Sequence, residues 1–76
     1  MLKNFFHQRQ KEGKYIICVK IDGEDQYVAD DYYLIETVSN MSAAKRYDTM
    51  ADAHGIIAKY RSWFANETED YQIYDV

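Results

Sequence analysis

Seventy-six residues with one cysteine, Cys18, make a single small domain without an intrachain disulfide. Its two histidines, His7 and His54, are too few to suggest a four-ligand zinc site, and no run approaches the roughly 20 apolar residues of a membrane-crossing helix. The net charge of −4 argues against nonspecific nucleic-acid binding, which relies on Lys and Arg to neutralise phosphates.

In chain order, residues 1–13 read as an N-terminal arm or short helix, and residues 14–76 as one domain. Leu2, Phe5, Phe6 and Arg9 fall on one side of that helix at spacings of three and four, and Gly13 would close it. The clearest strand follows. Tyr15, Ile17, Val19 and Ile21 alternate onto one face, the expected core face, with Ile16 and Cys18 on the other. Asp22 and Gly23 suit a two-residue hairpin turn with positive φ angles. The return strand is expected from about residue 24 to 29, and Asp30 and Asp31 read as a second turn.

Residues 32–38, rich in Tyr, Leu, Ile, Thr and Val, are expected to form a third strand. Residues 39–42 read as a loop. Residues 43–47 read as a short edge strand, with a helical turn as the alternative, and Lys45 and Arg46 would guard that edge. Thr49 and Asp52 then resemble a capping box opening one long helix to about Asn66. Its apolar stripe comprises Met50, Ala53, Ile56, Ile57, Tyr60, Trp63 and Phe64, and such a stripe needs a sheet to cover. A last strand over residues 71–75 puts Tyr71 and Ile73 on one face and Gln72 and Tyr74 on the other. The fold class expected is α+β: a mainly antiparallel sheet of four to five strands with one long helix across one face.

Charge and aromatic patterning point to surfaces rather than to chemistry. Residues 21–44 hold six acids and no Lys or Arg. Asp22, Glu24, Asp25, Asp30, Asp31 and Glu36, interleaved with Tyr27, Tyr32 and Tyr33, form a candidate acidic, tyrosine-bearing surface for a partner with a basic face. Such a surface would imitate the phosphates of a nucleic acid; equally, acids at turns serve solubility alone. These acids do not match the ligand spacing of an EF-hand loop. A second candidate surface is the small-residue face Ala51, Gly55, Ala58, Ser62 and Ala65, at spacings of four, three, four and three. It suits close helix packing in a homodimer, or simply reflects the helix-forming preference of Ala. Cys18, in mid-strand, reads as an inert thiol. No phosphate loop, nucleophile elbow or paired-histidine helix is present, so no catalytic residue and no cofactor is assigned.

The segment 42–53, Ser-Ala-Ala-Lys-Arg-Tyr-Asp-Thr-Met-Ala-Asp-Ala, resembles a stretch found in small uncharacterised bacteriophage accessory proteins. In these an Ala-x-Arg-aromatic strand runs into a Thr-capped helix, after a β-hairpin and before a final strand. The resemblance implies a phage-type protein that binds a host or defence protein stoichiometrically; the acidic composition and the lack of a long apolar run argue against direct contact with nucleic acid or membrane. It transfers no functional residue. With no secretion-signal pattern and no cysteine framework, the expected setting is the cytoplasm, the host's if the chain is phage-encoded.

Overall fold

The structure, a computed structural model, describes residues 13–76. The arm or helix expected over residues 1–13 therefore lies outside the described residues, Gly13 excepted. Four strands, β1 (Tyr15–Ile21), β2 (Glu24–Asp30), β3 (Glu36–Val38) and β4 (Asp70–Asp75), form an antiparallel sheet in the order β3-β2-β1-β4. Two helices, α1 (Met50–Lys59) and α2 (Arg61–Glu67), connect the sheet's outer parts, after a 3-10 turn at Met41–Ala43. No helix among the described residues is long and apolar enough to cross a membrane.

The β1–β2 hairpin follows directly from its sequence. Asp22 and Gly23 take φ values of 54° and 79°, the left-handed pair that reverses a strand with its native twist. Alternation then fixes the faces: Ile17 and Val19 are fully buried in one cluster with Val28, Ile35, Tyr47, Ala53, Ile57 and Phe64. Tyr15, Ile21, Ile56, Tyr60, Trp63 and Ile73 pack around it. Ile73 lies opposite Ile17 and Tyr71 opposite Val19, so β4 has the expected phase. Met50 is the exception within the expected stripe, being nearly half exposed at the first turn of α1.

Thr49 caps α1, its hydroxyl accepting from the Asp52 N–H at 3.0 Å. Replacing Thr49 by Ala is expected to cost about 1 kcal/mol, the usual worth of such a cap, read as a lower urea midpoint with an unchanged slope.

Three sequence expectations are corrected. The single long helix is two, because Tyr60 leaves helical geometry at φ −109°, ψ 36°. The Tyr60 hydroxyl donates to the Asp31 carbonyl at 2.6 Å, tying this break to the end of β2. The third strand spans only residues 36–38; residues 32–34 form a bend. The register of β2 against β3 shifts between Val28 and Asp30, and the pairing ends at Asp30 and Glu36, so residues 32–34 have no strand beside them. Finally, residues 43–47 make no edge strand. Regular β1–β2 pairing stops at Cys18 and Tyr27, and the segment inserts where the two strands part. The Lys45 N–H donates to the Val28 carbonyl at 2.9 Å, and Tyr47 bridges Tyr15 at 2.7 and 3.0 Å. Gly13 lies against this insert: a Cβ there would stand 2.7 Å from the Arg46 carbonyl carbon.

Candidate functional site

Two features meet at the end of β2: a buried carboxylate and, directly after it, an exposed hydrophobic loop. Asp31 is 7% exposed. Its two carboxylate oxygens are both used, one accepting from the Lys45 ammonium at 3.0 Å and the other from the Tyr47 hydroxyl at 2.5 Å. Its carbonyl takes the Tyr60 hydroxyl. One residue thus joins β2, the inserted segment and the break between α1 and α2. Burial by itself would raise the Asp31 pKa. The hydrogen bonds from Tyr47 and Lys45, with the charges of Lys45 and Lys59, outweigh it and hold the carboxyl below its ordinary value. Burial and then the bond to this anion push the Tyr47 phenol far above its ordinary value.

Immediately after this anchor, Tyr32, Tyr33 and Leu34 are 85%, 86% and 54% exposed. Ile35 then returns to the core. Three consecutive large apolar side chains therefore stand out from a bend pinned at both ends, by Asp31 and by Ile35. Surfaces of monomeric proteins usually scatter such residues singly.

Of the nine residues expected to form one acidic, tyrosine-bearing surface, seven fall into two groups at opposite ends of β2, roughly 20 Å apart at about 3.3 Å per residue. Asp22, Glu24 and Asp25 lie at the hairpin end, where Glu69 accepts from the Gly23 N–H at 3.1 Å. Asp30, Tyr32, Tyr33 and Glu36 lie at the loop end, Asp30 paired with Glu36. Tyr27 sits between them, half-buried beside Cys18 and Val38 on the sheet face away from the helices. Asp31 belongs to the interior rather than to either surface, and Lys45 neutralises it instead of guarding an edge. Lys45, Tyr47 and Tyr60 carry no local signal for this role, since they lie 14, 16 and 29 residues from Asp31.

The small-residue face is exposed throughout: Ala51, Gly55 and Ala58 lie on α1, Ser62 and Ala65 beyond the break on α2. A Cβ at Gly55 would meet nothing within 4 Å. Gly55→Ala should therefore stabilise the fold by up to about 1 kcal/mol through helix propensity, measurable as a higher thermal midpoint. A destabilisation would show that this backbone is closely approached in solution.

On the far face of the sheet, Cys18 is buried, and that burial pushes its pKa up. A raised pKa disfavours the nucleophilic thiolate. An open hollow of about 860 Å³ flanks the buried anchor, bordered by Lys45, Arg46, Asp48 and Asp52. Among the described residues no three of His, Cys, Asp and Glu converge as metal ligands would.

Comparison of the chain with family models, with curated proteins and with solved structures finds no match.

Proposed function

We propose that the protein acts by stoichiometric binding to another protein, with Tyr32, Tyr33 and Leu34 as the contact. The exposure of these three neighbouring side chains on a loop held at both ends carries the reading. Tyr is enriched among interface anchors, and a loop already held in place loses little conformational freedom on binding. Asp30 and Glu36 flank it with negative charge, and Asp22, Glu24 and Asp25 add more at the far end of β2. The partner that fits is one with an apolar recess bordered by Lys or Arg, such as the nucleic-acid-binding surface of a host or defence protein. The phage resemblance points to the same kind of partner, in the cytoplasm.

Affinity capture from bacterial lysate, run in parallel with the native chain and with a Tyr32→Ser/Tyr33→Ser variant, tests this. A partner held by the native chain and lost by the variant supports the reading; equal capture by both removes the loop from it. Charge reversal at Asp25, Asp30 and Glu36 tests the electrostatic part. Asp31 is left out of that set because its reversal would disturb the interior.

A second reading is self-association through the small-residue face, favoured by the exposed Gly55 in α1. Light scattering separates the two: a stable homo-oligomer dispersed by Gly55→Leu, with no captured partner, supports this one.

A further inference from the structure

We infer that β4 is a strand-addition edge that takes an extended segment of a partner with the pattern basic–x–apolar–x–basic. This goes beyond the loop contact proposed above, and lies at the opposite edge of the sheet from β3. In an antiparallel pair, alternate residues turn their N–H and C=O groups inward. The Val76 N–H donates to the Lys14 carbonyl, which assigns residues 72 and 74 to the β1 side and turns Tyr71, Ile73 and Asp75 outward. The Tyr71 N–H agrees with this: it bonds the Asp70 carboxylate at 2.8 Å rather than β1. Among the described residues no strand pairs with this outer side.

Beside the edge lies a mostly apolar recess of about 180 Å³ between α1 and β4, walled by Met50, Ile57, Tyr71 and Ile73 with His54 and Gln72. Met50 and Tyr71 are nearly half exposed. A side chain of an added strand opposite Ile73 would share its face and enter this recess. Asp75 stands opposite one flanking residue; the other stands opposite Tyr71, where a long basic side chain would meet the acids Glu69 and Asp70 diagonally at the end of β4. A second copy of this chain fits poorly, because antiparallel β4–β4 pairing brings the two sets of acids together and like charges across strands repel. Backbone pairing with one pocketed side chain is the usual logic of strand addition.

The test uses the full chain, ¹⁵N-labelled, titrated with the acetylated peptide Thr-Lys-Thr-Leu-Thr-Lys-Thr. Saturable amide shifts are expected at Ile73 and Asp75. Met50→Glu and Asp75→Lys should each weaken binding at least tenfold, and a peptide with Glu in place of Lys, or N-methylated at its Leu, should not bind. Four results would overturn the inference: no saturable shift at these amides up to millimolar peptide, shifts confined to Tyr32 and Tyr33, slow exchange of the Ile73 and Asp75 amides in the free protein, or a concentration-dependent dimer formed through β4. Loss of the loop contact in Tyr32→Ser/Tyr33→Ser would leave this titration unchanged, so the two readings fail separately.

Discussion

Asp31→Ala is expected to destabilise the protein by roughly 2–4 kcal/mol, whereas Asp30→Ala, one residue earlier and exposed, should stay within about 0.5 kcal/mol. The asymmetry comes from what each carboxylate leaves behind. Without Asp31, the buried Tyr47 hydroxyl has lost its acceptor and the Lys45 ammonium its counter-ion. Removing one member of a buried pair costs about 3–5 kcal/mol, and the lower figure here reflects the solvent access that Lys45 retains. A domain of this size holds only on the order of 4–11 kcal/mol, so the variant gives up a large share of its stability. Urea denaturation with both variants measures it, and equal midpoints would show that the network contributes little.

The same carboxylate sets an acid limit. Its folded-state pKa lies below the unfolded value, so the folded state binds protons less readily at this site. The contribution of Asp31 is therefore complete above the ordinary carboxylate range and is lost as pH falls through the folded pKa. Stability of the native chain should drop steeply below about pH 4, while Asp31→Asn, which cannot titrate, shows a shallower decline. Parallel pH profiles would dismiss Asp31 as the source.

How much of this was legible beforehand depends on the range of the cause. The Asp22–Gly23 turn, the alternation of Tyr15, Ile17, Val19 and Ile21 and the Thr49 cap are local, and each appears where the sequence places it. The third strand was misread because Tyr, Leu and Ile favour strands through packing against neighbours, not through the backbone alone. Here β2–β3 pairing ends at Asp30 and Glu36, residues 32–34 lack those neighbours, and the same residue types become an exposed bend. Likewise the break at Tyr60 has no Gly or Pro to announce it; it coincides with a hydroxyl reaching back 29 residues to Asp31. Tyr32 and Tyr33 were legible as site candidates through their place among the acids of residues 22–36, and a strand would have had only one of them facing away from the core. The structure exposes both, by removing the strand.

For that loop the expected result is a separation of binding from stability. Tyr32→Ser/Tyr33→Ser removes two side chains that are almost entirely in solvent, so the urea midpoint should move by no more than about 0.5 kcal/mol. Anchor residues at interfaces cost about 2 kcal/mol or more each when truncated, so affinity for a captured partner should fall on the order of a hundredfold or more. The loss should appear mainly in the dissociation rate, since short-range packing governs residence. Charge reversal at Asp30 and Glu36 should act differently, slowing association and weakening its dependence on salt, because exposed charges steer encounter over about a Debye length. Asp31→Asn would weaken binding only through the loop's support, with the remaining affinity following the fraction of chains whose bend is intact. A double variant that binds as tightly as the native chain would mean that the partner meets some other face. A variant that unfolds would mean that Tyr32 and Tyr33 hold the domain together rather than present it.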